Sequence, residues 1–162
     1  MHPNCMTLVQ RFRNERFKDS LGKKVIEIGS ADINGGIRGL FPGAEFIGVD
    51  IMAYNGVDVV LEDHYHFPFE DSIFDAAMST NTLEHCTRPW LTVKEMARVV
   101  RPGGFVLNVV PWRFHVHKEH AITKDCWRIL EDGMRVLMED AGLEILECQM
   151  QEDDTIGIGR KK

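Results

Sequence analysis

Apolar residues along this chain recur with two different periods, which separates candidate helices from candidate strands. Near the N-terminus they show the three- and four-residue spacing of one helical face, which predicts a first helix over residues 4–20. The same spacing predicts a helix from Trp90 to Val100, ended by Pro102-Gly103-Gly104, and another from Met134 to Ala141, ended by Gly142. We therefore expect three amphipathic helices.

Short apolar runs between these helices predict strands. They are Val25–Ile28, Glu45–Val49, Val57–Leu61, Phe74–Met78, Phe105–Val110, Leu143–Cys148 and Thr155–Ile158. Helices or loops separate the early strands, as in a parallel sheet covered on both faces. A short polar turn over 149–154 separates the last two, which indicates an antiparallel hairpin at one edge of the sheet.

This pattern predicts a single α/β domain over residues 1–162, with the N-terminal helix followed by an α/β core over 24–162. The fold expected is a Rossmann-like, doubly wound, mostly parallel sheet of seven strands with an antiparallel C-terminal hairpin. Ligands of such sheets bind outside the carboxyl ends of the strands, where the strand order reverses. The residues that follow each strand are therefore the candidates for chemistry.

Composition narrows the class of protein. The net charge of −6 argues against broad binding to a nucleic-acid backbone, so we expect no nucleic-acid partner. No apolar run has the length of a membrane span, and the N-terminus has no signal-peptide core, so we expect a cytoplasmic protein. The four cysteines are scattered without a C-x-x-C pair, which fits reduced thiols rather than a zinc or redox motif.

The first strand runs into a turn rich in glycine. Gly29 allows the backbone to turn sharply, and Gly35 and Gly36 permit a ligand to approach closely. Glu27, near the strand end, can accept hydrogen bonds from an ammonium group or a bound water. The dinucleotide fingerprint G-x-G-x-x-G is absent, which weakens a nicotinamide or flavin interpretation, and an ordinary glycine turn remains an alternative.

Two carboxylates follow the next strands. Asp50 ends the second strand 21 positions after Gly29, the spacing expected of an acid that binds the two hydroxyls of a ribose. Asp63 follows the third strand and could accept a hydrogen bond from an exocyclic adenine amine. For each of them a solvated turn residue is the alternative.

Together these segments resemble the class I S-adenosylmethionine-dependent methyltransferases over nearly the whole chain. The motifs that carry the likeness are V-I-E-I-G-S, G-V-D-I, L-E-D with F-P-F-E-D-S-I-F-D, L-E-H, E-M-A-R-V-V-R-P-G-G and A-G-L-E-I-L. The resemblance implies S-adenosylmethionine as cofactor. It implies cofactor-binding positions at Glu27, Gly29, Ser30, Asn34, Gly35, Asp50, Ile51, Asp63, His64, Asn81 and Thr82.

The roles implied follow the order of the strands. The first turn lies near the methionine part of the cofactor, Asp50 on the ribose, and Ile51, Asp63 and His64 around the adenine. Asn81 and Thr82 lie near the sulfonium. The second glycine of the family's turn is replaced by Ala31, and the likeness implies that Asn34 and Gly35 rebuild the loop.

The segment of 18 residues from Trp112 to Ile129 is the candidate acceptor loop. It follows the fifth strand and is rich in Trp, His and Arg. Val110-Pro111, His117 and D-C-W-R resemble small methyltransferases of sugar and surface-polysaccharide pathways, in which the last motif is D-Y-W-R. We expect a small-molecule or glycan-linked acceptor, methylated at oxygen, with Trp127 and Arg128 as its binding residues. Alternatively, these two side chains only pin the loop to the body of the domain.

His117 is the candidate catalytic base, because a hydroxyl acceptor must lose its proton and histidine titrates near neutrality. Packing of His115, His117 and His120, or positioning of the acceptor without any base, are alternatives. The spacing H-x-H-x-x-H in a loop is a weak metal signal, so no metal is expected. A non-catalytic S-adenosylmethionine-binding subunit and a nucleotide-sugar or dinucleotide enzyme are the competing classes, and the oligomeric state is open.

Overall fold

The computed structural model describes residues 3–33, 35–116 and 124–162. These residues form a sheet of seven strands in the order β3-β2-β1-β4-β5-β7-β6, with an antiparallel C-terminal hairpin, as predicted. The helices are α1 (Pro3–Arg16), α2 (Pro89–Val99) and α3 (Glu131–Asp140), with short 3-10 turns at Arg38–Leu40 and Leu83–His85. The strands are β1 (Lys24–Ile28), β2 (Glu45–Asp50), β3 (Val59–Val60), β4 (Phe74–Thr80), β5 (Val100–Pro111), β6 (Leu143–Gln151) and β7 (Asp154–Lys161).

The order of the strands determines where a ligand can bind. β1 pairs in parallel with both β2 and β4, so the chain order reverses on either side of β1. β7 enters antiparallel between β5 and β6. The carboxyl ends of β1, β2, β4 and β5 therefore meet at one edge of the sheet, and the loops that follow them form the candidate site.

Successive side chains along each strand point to opposite faces of the sheet, so each face carries an apolar layer. On one face Ile26, Ile28 and Ala77 pack with the buried side of α2 and α3. On the other face Val25, Ala76 and Met78 pack with α1, whose Phe12 is 1% exposed. Burying a side chain such as Phe12 contributes roughly 1.5–3 kcal/mol, so both layers stabilise the central strands that carry the site.

Several predicted boundaries were wrong, including three that change the length of an element. The first helix ends at Arg16 rather than at residue 20, because the chain turns there and buries Phe17 against Phe12 and Phe105. Val57 belongs to a turn closed by its N–H on the carbonyl of Tyr54, which leaves β3 with two residues. The segment predicted to end the second helix, residues 102–104, forms the beginning of β5.

Two further properties bear on the class of protein: the apolar length of the helices and the state of the cysteines. None of the helices in the described parts of the chain is long and apolar enough to cross a membrane. All four cysteines are free thiols, and Cys5 is completely buried among the apolar residues of α1.

Candidate cofactor and acceptor site

The turn after β1 is packed against the loop after β4. Gly29 has a φ of +78°, a left-handed conformation that other residues rarely adopt. Its N–H and that of Ser30 donate to the carbonyl of Val49 at 2.9 and 3.1 Å. A Cβ on Gly29 would lie 2.0 Å from the Thr82 Oγ1, so the two loops approach this closely only because the residue is glycine. Gly29 and Thr82, both predicted as cofactor positions, are therefore in contact.

Asp50 lies at the end of β2, beside the same turn. Its Oδ2 accepts the N–H of Ala31 at 3.2 Å, and its Oδ1 accepts the N–H of Met52 at 3.3 Å. These bonds orient the carboxylate and use one lone pair on each oxygen. Since each carboxylate oxygen has two lone pairs, Asp50 can still accept two hydroxyl groups, as the ribose prediction requires.

The positions predicted around the adenine form the neighbouring surface. The side chain of Ile51 is 39% exposed, which is large for an isoleucine. The exposed Asp63 accepts the N–H of Tyr65 at 2.8 Å. The ring of His64 packs edge-on against the ring of Tyr65, with centroids 4.4 Å apart. Ile51 follows β2 and Asp63 follows its partner strand β3, so the two loops offer an apolar side chain and a carboxylate, groups able to accommodate a purine.

A cleft of about 390 Å³ opens between the loops after β1 and β2. Arg38 lines this cleft, and its Nη1 donates a hydrogen bond to the carbonyl of Phe46 at 2.8 Å. Arg38 also forms an ion pair with Asp58, whose carboxylate accepts the N–H of Gly48 at 2.7 Å. The lining residues are Glu27, Ser30, Asp32, Gly36, Arg38, Gly39, Asn55, Gly56, Val57 and Asp58.

Glu27 is the buried acid of this cleft, with 4% of its surface exposed. Burial raises the pKa of Glu27 to about 8, while the charge of Arg38 opposes this change. The carboxyl group is therefore mostly protonated at neutral pH. A ligand cation placed beside Glu27 would favour the ionised form, so this group can couple ligand binding to proton release.

The remaining predicted cofactor positions divide between described and undescribed residues. Asn34 lies outside the described residues. Gly35 has a φ of +99°, and its N–H donates to the Oδ1 of Asp32 at 2.8 Å. Asn81 has a φ of +48°, and neither atom of its buried side-chain amide has a hydrogen-bond partner among the residues described. A strained residue with an unsatisfied amide, at the carboxyl end of β4, fits a ligand-contacting role.

On the acceptor side, the guanidinium of Arg128 is surrounded by acceptors of the protein. Its Nε donates to the carbonyl of Phe114 at 3.1 Å, and one terminal nitrogen donates to the carbonyl of His115 at 3.0 Å. Both terminal nitrogens bind Asp125, whose side chain is 1% exposed, at 2.5 and 2.8 Å. This geometry favours the alternative in which Arg128 pins the loop over direct binding of an acceptor.

Trp127 connects the same loop to the segment after β4. Its indole N–H donates to the carbonyl of Cys86 at 2.7 Å, and its ring meets the ring of Trp90 edge to face at 6.4 Å. The backbone N–H groups of Cys126 and Trp127 both donate to the carbonyl of Glu84, at 2.7 and 3.2 Å. Trp127 remains 40% exposed, so it can form a pocket wall while it holds the loop.

The candidate base His117 and the neighbouring His120 lie outside the described residues. Within the ranges that the structure describes, no three side chains of His, Cys, Asp or Glu converge in a way that could hold a metal ion.

Sequence reasoning missed two kinds of residue. Arg38 and Asp58 have no motif of their own, and their pairing across the cleft follows only from the folding of the loops after β1 and β2. Glu84 stands in the L-E-H motif, but its burial, with 1% exposed, depends on the acceptor loop that covers it. The signal available was the carboxylate between Leu83 and His85 in that motif.

Comparison with known proteins agrees with this geometry. Residues 34–108 match the family model described as a methyltransferase domain. The chain is 33% identical over 120 residues to a tRNA (carboxymethyluridine(34)-5-O)-methyltransferase of Arabidopsis thaliana. That alignment covers 67% of this chain but 29% of the relative, so the chain spans less than a third of that protein's length.

Solved structures show the same fold at low sequence identity. A Burkholderia thailandensis 1,6-didemethyltoxoflavin-N1-methyltransferase with bound S-adenosylhomocysteine superposes with a TM-score of 0.73 at 14% identity, covering 98% of this chain and 78% of that one. A Haloferax volcanii methyltransferase in complex with the Trm112 methyltransferase activator gives a TM-score of 0.65 at 16% identity, covering 97% and 93%. Residues 34–108 are therefore similar to a methyltransferase domain, and the described residues share their fold with solved methyltransferases.

Proposed function

We propose that the protein binds S-adenosylmethionine at the seam between Gly29, Asp50 and Thr82 and transfers its methyl group to an oxygen of a small-molecule or glycan-linked acceptor. The observation that carries the proposal is the oriented carboxylate of Asp50 beside the Gly29 turn, where β1 and β2 end. Two oxygens with spare lone pairs, 3.2 and 3.3 Å from backbone donors, suit a pair of ribose hydroxyls.

Different residues of the chain would bind different parts of the cofactor. Glu27 offers a carboxyl group to the ammonium of the cofactor, and Ile51 with Asp63 offers an apolar contact and an acceptor to the adenine. Asn81 and Thr82 flank the reacting centre. When bound, the cofactor supplies a methyl group already activated by its sulfonium, so the protein needs mainly to position the acceptor and exclude water.

The acceptor loop supports a compact acceptor. The described part of the loop, residues 112–116 and 124–129, is held by the bonds of Arg128 and Trp127, and the Trp127 ring is 40% exposed. The net charge of −6 also disfavours a polyanionic acceptor. Within this proposal, His117 is the loop residue available as a base.

A transfer RNA is the second candidate acceptor, and one observation favours it. The Arabidopsis relative, 33% identical over 120 residues, is named for methylation of a carboxymethyluridine in tRNA. A chain with a charge of −6 would then need basic surface from a second protein. The Haloferax structure pairs a methyltransferase of the same fold with an activator.

The cofactor is tested by calorimetry with S-adenosylhomocysteine. We expect Asp50→Ala to weaken its binding by about 2–4 kcal/mol, since two charge-assisted hydrogen bonds are lost. Asp140→Ala, at the exposed end of α3, is the matched control and should bind like wild type. Equal affinity of the two variants would remove Asp50 from the site, and no binding by wild type would end the proposal.

The acceptor is tested by transfer of radiolabelled methyl from S-adenosylmethionine. The panel holds methyl glucoside, nucleotide-sugars, 5-carboxymethyluridine and total tRNA, the last with and without an added Trm112-type activator. Label in a sugar supports the proposal, and label in tRNA alone replaces it with the second candidate. Tight cofactor binding with no label in any acceptor favours a non-catalytic subunit.

A further inference from the structure

Arg88 is an exposed arginine that immediately precedes α2. Its backbone N–H donates to the hydroxyl of Tyr65 at 3.2 Å, and its guanidinium lies over the Tyr65 ring, 5.9 Å from the ring centre. The same hydroxyl is 2.6 Å from the Oγ1 of Thr87. Among the described residues no side chain accepts a hydrogen bond from the guanidinium of Arg88, so its five N–H donors remain available to a ligand.

The stability of α2 does not explain an arginine at this position. Arg88 is the N-cap residue, and its side chain makes no capping hydrogen bond. A serine, threonine, aspartate or asparagine would cap the helix better, and a positive charge at a helix N-terminus interacts unfavourably with the helix dipole. A ligand anion beside Arg88 would offset that unfavourable interaction.

Other arginines that line the candidate site are bonded to acids. Arg38 forms an ion pair with Asp58 in the cofactor half, and Arg128 forms one with Asp125 in the acceptor half. Within the parts of the chain that the structure describes, Arg88 forms no ion pair. Arg88 is therefore better placed than Arg128 to bind an anionic group of the acceptor.

Two partly exposed indole rings lie beside Arg88. Trp90, two residues further along the chain, is 39% exposed, and Trp127 is 40% exposed. Their rings meet edge to face, with centroids 6.4 Å apart. The indole N–H of Trp127 donates to the carbonyl of Cys86, two residues before Arg88, at 2.7 Å. Exposed aromatic faces of this kind offer a stacking surface for the ring of a ligand.

This surface connects the two halves of the candidate site. Tyr65 lies in the loop after β3, where the ring of His64, predicted to contact adenine, is 4.4 Å from the Tyr65 ring. Trp127 lies in the acceptor loop, and the segment from Cys86 to Arg88 bonds to both loops. A molecule bound here would lie between the proposed adenine position and the acceptor loop.

We propose that Arg88, Trp90 and Trp127 bind an acceptor whose ring carries a phosphate or carboxylate group. The ring stacks on the indoles, and the anionic group binds the guanidinium, whose planar fork can donate to two oxygens at once. This inference rests on the proposed methyl transfer, and it specifies the chemistry of the acceptor. One exposed arginine in a chain with a net charge of −6 suits a single anionic group rather than a polyanion.

The proposal is tested by calorimetry on the wild-type protein saturated with S-adenosylhomocysteine. The probes are glucose 6-phosphate, glucuronic acid, methyl glucoside and inorganic phosphate. We expect one charged sugar to bind at least about tenfold more tightly than methyl glucoside and inorganic phosphate, and its identity distinguishes phosphate from carboxylate. Equal affinities would overturn the proposal, and so would binding of total tRNA without a preference for a charged sugar. Failure of S-adenosylhomocysteine to bind would instead contradict the proposed function.

A variant of Arg88 tests the anionic group. We expect Arg88→Gln to weaken binding of the preferred charged sugar by about tenfold or more and to leave the affinities for methyl glucoside and S-adenosylhomocysteine within about threefold. Arg13→Gln, in α1 on the opposite face of the sheet, removes the same charge and should bind like wild type. A preference for the charged sugar that survives in Arg88→Gln would overturn the proposal.

A variant of Trp90 tests the ring. We expect Trp90→Ala to weaken binding of the charged sugar and of methyl glucoside by the same factor, about fivefold or more, because stacking does not depend on the charge. Trp90→Phe retains an aromatic face and should stay within about threefold of wild type. Melting temperatures of both variants separate loss of the ring face from loss of the fold. Wild-type affinities in a folded Trp90→Ala would overturn the stacking contact, and the Arg88→Gln comparison decides the proposal if Trp90→Ala is unstable.

Discussion

The two halves of the candidate site are held together over different distances along the chain. In the cofactor half, the bonds that shape the loops join residues about twenty positions apart, as in Ala31 with Asp50 and Arg38 with Asp58. In the acceptor half, they join residues about forty apart, as in Cys86 with Trp127 and His85 with Lys124. The first half is the local product of one β-loop-β unit, and the second exists only after distant segments meet.

The two halves also differ in how many hydrogen bonds their charged side chains make to the protein itself. Asp50 is oriented by two long bonds and retains lone pairs for a ligand. Arg128 makes bonds to four residues of its own loop and segment. Asp50 therefore keeps acceptor capacity that a ligand could use, while the guanidinium of Arg128 is bonded to the protein itself.

The largest expected effect is at the contact between Gly29 and Thr82. Gly29→Ala would place a methyl group on the Thr82 hydroxyl and force a left-handed conformation on alanine. Together these should destabilise the protein by about 3–5 kcal/mol and abolish cofactor binding. Urea unfolding and calorimetry measure both effects. Gly142→Ala is the control, because its φ of +76° is similar but no atom lies within 4 Å; equal losses in the two variants would contradict the packing argument.

The next largest effect concerns Arg128, which holds the acceptor loop in place. Arg128→Ala leaves the buried carboxylate of Asp125 without its cation and should lower the free energy of unfolding by about 3 kcal/mol. Arg113→Ala, whose side chain is 74% exposed, should change it by less than about 0.5 kcal/mol. A stable Arg128→Ala that binds S-adenosylhomocysteine normally but loses turnover would restore Arg128 as an acceptor ligand.

The third effect is a slope of stability with pH, and it involves one acid in each half. Burial raises the pKa values of both Glu27 and Glu84 to about 8, from 4.5 in the unfolded chain. Between these values the folded state binds more protons than the unfolded state, so its stability falls as the pH rises. The decline should reach at most about 1.4 kcal/mol per pH unit for each group and level off above pH 8.

Urea unfolding from pH 5 to 9 measures this slope. Glu84→Gln should reduce the slope by about half, since Glu27 still titrates, while Glu15→Gln, at an exposed position, should leave it unchanged. A slope of the opposite sign, with stability rising from pH 5 to 8, would contradict the burial of these two acids as protonated groups.

Periodicity and turn chemistry were sufficient to predict the fold, and the boundaries that failed show where they stop. The seven strands and the closing hairpin follow from local patterns. The end of α1 does not, because Phe17 leaves the helix and packs against Phe12 and Phe105 in the apolar layer between α1 and the sheet. No pattern in the residues near Phe17 predicts that contact.

By itself, the sequence determined the sheet, the glycine turn and the carboxylate that follows β2, since each depends on neighbours in the chain and on the ends of adjacent parallel strands. Only the tertiary structure decided that Trp127 donates to the carbonyl of Cys86 and that Glu84 is buried where the acceptor loop bonds to its carbonyl. The burial of these side chains and their hydrogen-bond partners depend on segments some forty residues away. The residue type alone does not reveal whether a carboxylate faces water or an imidazole.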